Sequence, residues 1–256
     1  MILYKYMSLA TARTILQTNR IGFSRPSFFN DPFDTPVAEP VLTSNAIAAV
    51  FAKVGAGAKS YTWEQNTAIL SLTRTATNAL MWAHYADKHQ GAVLEIDTLA
   101  AGFLDGSTNM IPANFGSVVY SRHRPIGQYN SNFATAVAVG TTHHFVMDHY
   151  EKWQRLFLTK PLEWAYEEEV RVVKCIHGLP ADGGLVENAD CKILNLSDGR
   201  PLHCFAVPAA SIKAVYVGAR ADQGAIDTLV KAFPEREFRR ARLDQDRFGI
   251  DFEPLH

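Results

Sequence analysis

The chain carries no excess charge of either sign. Its 25 Lys and Arg face 26 Asp and Glu, a formal net charge of −1 over 256 residues. That excludes a global pull toward nucleic acid or an anionic membrane. Cysteine is scarce: Cys175, Cys191 and Cys204 are odd in number, widely spaced and without a paired metal-ligand pattern. A disulfide scaffold is thereby excluded, and buried thiols in a reducing compartment are expected. Long hydrophobic runs are missing too. The Ala/Val-rich stretch 41–54 is broken by Asn45 and Lys53 and is too short to span a bilayer. The start, Met1-Ile2-Leu3-Tyr4-Lys5-Tyr6, lacks a signal-peptide layout. These absences predict a cytoplasmic protein with no membrane partner.

Common catalytic signatures are absent as well. There is no His-Glu-x-x-His, no Gly-x-Ser-x-Gly and no Gly-x-Gly-x-x-Gly. Gly55-Ala56-Gly57 lacks the Gly-Lys-Ser/Thr ending of a phosphate loop. His84 and His89 diverge around a continuous helix, and His143, His144 and His149 are no better spaced, so no metal is expected.

Hydrophobic residues make up 47% of the chain, enough for a real core. Many short strands separated by helices predict a mixed α+β fold, a short-stranded split sheet with peripheral helices. The chain reads as a single domain over 1–256, with a C-terminal extension from about 221. A strand is expected at Ile2–Tyr6, a helix at Ala10–Thr18 and a strand at Ile21–Ser24. A helix at Asn45–Lys53 is followed by an expected surface loop to Tyr61. The longest helical region, one helix or two, covers 131–159, and 180–190 is a Gly/Asp-rich loop. Short strands at Leu202–Val207 and Ile212–Val217, a helix at Gly224–Phe233 and a strand at Arg239–Leu243 complete the chain.

The stretch Ile69–Ile96 reads as strand, helix, turn, strand, and its helix (Ala79 to Lys88) carries Trp82, His84 and Tyr85. Asn78 caps the helix, and Gly91 supplies the left-handed residue a C-terminal cap needs. In Phe28-Phe29-Asn30-Asp31-Pro32-Phe33-Asp34, aromatics pin a polar turn whose Asn30 and Asp31 can shape a ligand cleft; a structural knot is the alternative. In Trp164–Val173, Glu167 and Glu169 share one strand face with Arg171. The functional reading is a carboxylate held at a cleft beside Trp164 and Tyr166, which suit a flat ring or ribose. The plain alternative is a solvated strand edge with a surface ion pair.

Together Tyr4-Lys5-Tyr6, Phe23-Ser24-x-Pro26, Phe29–Asp34, Leu70-Ser71-Leu72, Met81-Trp82-x-His84-Tyr85-Ala86, His89-x-Gly91, Lys160 and Trp164-x-Tyr166-Glu167-x-Glu169-x-Arg171 resemble the bacterial family called domain of unknown function 2971. That resemblance spans about residues 2 to 220. The chain also resembles ADP-ribosyltransferases of the histidine-tyrosine-glutamate type. This second resemblance implies NAD as the ligand, Tyr4 or Tyr6 in place of the histidine, Ser24 on the next strand, Tyr85 as the stacking aromatic, and Glu169 or Glu167 as the late glutamate. Tyr85 or Phe29 would stack on the departing ring, and Arg25 or Arg74 would meet the pyrophosphate.

The expected function is thus an ADP-ribosyltransferase-like protein, or an NAD glycohydrolase, acting on NAD or a related nucleotide. Glu169, Glu167, Tyr6 and His84 are its candidate catalytic residues, with a protein or nucleic-acid acceptor and a toxin or defence role. The alternatives are a non-catalytic ligand-binding or defence-sensor module, and a metal-dependent nuclease or phosphodiesterase using Asp31 and Asp34.

Overall fold

The computed structural model describes residues 1–34, 36–37, 43–125, 133–180, 183–186 and 189–255. Parts of three expected segments lie outside the described residues: 41–42 of the Ala/Val-rich stretch, 131–132 of the helical region, and 181–182 and 187–188 of the Gly/Asp-rich loop.

The fold is mixed α+β, with short strands and helices at the periphery, as expected. The elements in order are β1 (Ile2–Met7), α1 (Leu9–Thr18), β2 (Arg20–Phe23), α2 (Ala46–Asn66), β3 (Thr67–Thr73), α3 (Ala79–Tyr85), β4 (Ala92–Asp97), β5 (Val119–Ser121), α4 (Phe133–Thr141), α5 (Met147–Phe157), β6 (Thr159–Pro161), β7 (Glu169–Cys175), β8 (Gly183–Val186), β9 (Ala189–Asn195), β10 (Pro201–Ala206), β11 (Ile212–Val217), α6 (Gln223–Ala232), β12 (Glu237–Leu243) and β13 (Ile250–Pro254). A seven-stranded sheet runs β13-β12-β11-β4-β1-β3-β7, beside a four-stranded sheet β2-β10-β9-β8 and a small β5-β6 pair. The segment after 221 joins the large sheet: α6 carries the chain from β11 to the parallel strand β12, and β13 closes that edge. No helix among the described residues is long and apolar enough to cross a membrane.

One irregularity of the large sheet positions the site. Strand β1 pairs β4 continuously from Ile2↔Asp97 to Met7↔Ala92. It meets β3 on its other side at Tyr4↔Thr73 alone. Further along, β3 bonds to Ser24 at Ile69 instead, while β2 turns away into the four-stranded sheet. The two strands therefore splay, and Lys5 reaches across the gap to donate to the Ser71 carbonyl at 2.9 Å.

The core lies around this split. On one face α1 and α6 bury Ala12, Ile15, Leu16, Ile226 and Leu229 against Leu3, Leu94 and Val215. Trp63, Trp153, Phe157 and Met110 form a second cluster, and Trp82, Tyr6, Val93 and Tyr216 a third.

The structure corrects four local expectations. Helix α2 does not stop at Lys53 but continues to Asn66, through Gly55 and Gly57. Asn45 caps its start, and near its end Trp63 packs against Gly140 of α4, where a Cβ would come within 2.6 Å of the indole. Helix α3 ends at Tyr85, three residues short of Lys88, because Asp87, Lys88 and His89 all turn left-handed. Gly91 is not the left-handed cap. It is small because β1 passes over it: a Cβ there would lie 2.2 Å from the Met7 carbonyl oxygen. Finally, part of the expected 180–190 loop is the β8–β9 hairpin.

Candidate functional site

A cavity of about 480 Å³ opens where β1 and β3 part. Its walls are aromatic and apolar, with Tyr4 and Tyr6 from β1, Phe28 and Phe29 from the turn after β2, Leu72 from β3, and Met81 and Tyr85 from α3. Its polar lining is Lys5, Ser24, Ser71, Thr73, Asp34, Lys160, Glu167 and Glu169, with Asn30 and Arg200 completing the surround.

The acidic end of the cavity is built on β7. This strand is buried along its whole length, so the charges at its start must be answered by protein groups. Arg171 donates through Nε to Glu169 at 2.8 Å and through Nη2 to Asp34 at 2.5 Å, while Nη1 is bound to the Phe157 carbonyl at 2.7 Å. Its guanidinium also lies 5.3 Å from the centre of the Phe29 ring. Lys160, from β6, donates to Glu167 at 2.5 Å and to Glu169 at 3.1 Å. Tyr85 donates its hydroxyl to the other Glu167 oxygen at 2.5 Å, and the Tyr120 hydroxyl accepts from the Glu169 N–H at 2.8 Å. Gly116 presses against the Arg171 backbone, where a Cβ would stand 1.9 Å from the Arg171 carbonyl oxygen.

Burial and charge compete at each of these groups. Burial alone would raise the Glu169 carboxyl, but Arg171 and Lys160 outweigh it and hold it at about 2. At Asp34 burial wins over the same cations, and the carboxyl is raised. Burial would lower Lys160, but Glu169 and Glu167 raise it. Lys5 is lowered by burial, against the opposing pull of Glu169 and Glu167.

The expected residues divide by location. Glu169, Glu167, Tyr6, Tyr4, Ser24, Phe29, Asn30 and Tyr85 line the cavity. The Tyr6 hydroxyl is committed to the Thr75 carbonyl, so its ring faces the space while its donor is used. Arg171 lies behind the carboxylates, almost fully buried. Trp164 is a neighbour of the site, with Lys160 Nζ 5.0 Å from its ring centre. Asp31 accepts from the Phe33 N–H at 2.8 Å and its carbonyl from Asp34 N–H at 3.1 Å, so it shapes the turn that delivers Asp34. The other candidates do not line the cavity. Trp82 is fully buried and donates to the Ala76 carbonyl. His84 is exposed at the end of α3, its ring centre 6.3 Å from those of Tyr85 and Tyr166. Arg25 donates to Gln65 and Arg74 to Ser117.

The two glutamates do converge, but not by strand alternation. Glu167 ends a 3₁₀ turn (Leu162–Glu167), and Glu168 turns left-handed at φ 45° before β7 begins. That turn brings both carboxylates onto Lys160. Nor is Glu169 a solvated surface ion: it is 5% exposed.

Sequence reasoning gave no role to Lys5, Lys160 or Tyr120. The signal at Lys5 was available: it alternates with Leu3 and Met7, both buried, so a cation sits on an apolar strand face. Nothing local to Lys160 announces its partners, which come from elements on either side of it.

Nothing in these positions supports the expectation of an NAD-dependent transferase with a toxin or defence role. The residues meant for the pyrophosphate are engaged elsewhere, and the late glutamate is neutralised by two cations. The metal-dependent alternative fails on its ligand set. Asp31 folds into its own turn, Asp34 is bound to Arg171, and among the described residues no group of three or more His, Cys, Asp or Glu could hold a metal ion.

No curated protein and no solved structure matches the chain, so neither comparison supports a likeness to ADP-ribosyltransferases. The segment 81–172, which carries Tyr85, Lys160, Glu167, Glu169 and Arg171, is similar to the family described as protein of unknown function (DUF2971).

Proposed function

We propose that the cavity binds a nucleotide-class small molecule and holds it without turnover. The observation that carries this reading is Lys5. Lys160 and Arg171 engage three carboxylates within 4 Å, whereas Lys5 has no carboxylate so close among the described residues. Its one bond among the described residues is to the Ser71 carbonyl, and an ammonium has three donors. A desolvated cation with donors to spare, facing a cavity, is completed by an anionic ligand group.

The remaining lining supports the rest of the ligand. Phe29 and Tyr85 suit a planar ring. Glu167, fixed by Tyr85 and Lys160, suits a sugar hydroxyl. Acid–base turnover at Glu169 is disfavoured because Arg171 and Lys160 hold its carboxyl too acidic to exchange a proton near neutrality.

Calorimetry with AMP, ADP and adenosine tests the reading. The nucleotides are expected to bind at least tenfold tighter than adenosine. Lys5→Met should abolish that preference, and bound nucleotide should be recovered intact. Equal affinity for adenosine, or no heat from any of the three at millimolar concentration, would sink the binding reading. Consumption of the nucleotide would overturn the absence of turnover.

A further inference from the structure

A second concavity of about 560 Å³ lies between α1 and the four-stranded sheet, and it shares Lys5 and Ser24 with the cavity at the split. Its character is different. Met7, Ile15 and Leu202 give it an apolar floor, and no aromatic is among the described residues that line it. Its charged lining is Lys5, Arg20 and Lys192, and no carboxylate is among the described residues that line it. Leu202 lies against β2 because Gly22 has no side chain: a Cβ there would stand 2.7 Å from Leu202 Cδ2.

From this lining we infer that the groove is a binding site for an aliphatic carboxylate, a flexible hydrocarbon chain ending in an anionic head. An apolar floor favours hydrocarbon, and Lys192, which has no ion pair among the described residues, favours a negative head. The lack of aromatic walls favours a flexible chain over a planar ring, in contrast to the cavity on the other side of Lys5. The volume falls within the range of small-molecule sites, roughly 300–1,000 Å³. The ligand lies along the exposed threonines of α1, with its head toward Lys192 and Arg20. Arg20 is already paired with Asp190, at 2.5 Å, so Lys192 supplies the free charge.

The test is calorimetric titration of the full chain with sodium decanoate, decanol and acetate, below the micelle concentration. Decanoate is expected to bind at one site, decanol at least tenfold more weakly, and acetate not measurably. Thr14→Trp, at an exposed position on the groove side of α1, should weaken decanoate at least tenfold while leaving AMP binding and the melting temperature unchanged. Lys192→Glu should bring decanoate down to the level of decanol without filling the groove. The inference is overturned by no decanoate binding, by equal binding of decanol, or by unchanged affinity in both variants. Loss of AMP binding by the native chain would bear on the other cavity alone, so the two readings fail separately.

Discussion

At the scale of single residues, the site is a chain of charges in which Asp34, Arg171, Glu169, Lys160 and Glu167 alternate in sign. All five are buried, so each ion depends on its neighbours for the solvation it has lost. Glu169 is the centre, touching both cations. Its carboxyl is held at about 2 against an ordinary 4.5. A depressed folded-state value adds stability that is full above the unfolded value and is lost as pH falls through the folded one. The depression corresponds to about 3 kcal/mol at neutral pH. Glu169→Gln should therefore cost about that much by urea unfolding at pH 7, and roughly half as much near pH 3. A loss that does not shrink toward pH 3 would assign the cost to packing rather than to the charge.

At the scale of elements, α2 carries Gly55 and Gly57 in the middle of a helix. Neither has positive φ, and a Cβ at either would have nothing within 4 Å. Glycine there loses backbone freedom on folding without a steric reason for being small. Gly55→Ala and Gly57→Ala should each stabilise the protein by roughly 0.5–1 kcal/mol, measured as a rise in urea midpoint at constant slope. No gain in either would mean that α2 is frayed there in solution. The same glycines explain why the sequence suggested a loop: local propensity disfavours helix, and Trp63 and Ala56 recover it only by packing against another part of the chain. The strand–helix–strand of 67–97 was legible because its signals are local, an apolar run and the Asn78 cap. The need for glycine at Gly91 was legible, but not its cause, since Met7 is brought onto it by the sheet. The site was legible to the same degree. Glu167, Glu169 and Tyr85 stood out as chemistry-bearing residues in compact motifs. Their charge state did not, because Arg171 meets Asp34 across 137 residues of sequence.

At the scale of the whole molecule, these buried groups set how stability varies with pH. His203, on β10, is 1% exposed, and burial together with Arg25 lowers its pKa to about 4. Its unfolded-state value is about 6.5, so between pH 6.5 and 4 the unfolded chain binds the proton that the folded chain refuses. Stability should fall across that window by on the order of 3 kcal/mol. Glu169 adds a second fall from about 4.5 toward 2. Asp34, raised by burial above its ordinary 3.8, works the other way and opposes the fall in stability as pH comes down toward that value. On the alkaline side, burial lowers Lys174 to about 8, so the unfolded chain holds more protons up to its ordinary 10.5 and stability should rise there. Acid loss therefore begins near pH 6.5 rather than near 4, where carboxylates alone would place it. Urea midpoints from pH 7 to 4 check this directly. His203→Gln should shrink the upper step, to which His89 and His149, both lowered by burial, also contribute, and leave the lower one, whereas Glu169→Gln should flatten the lower and leave the upper. A native midpoint that stays constant from pH 7 to 5 would show that His203 protonates in the folded protein as easily as in the unfolded chain.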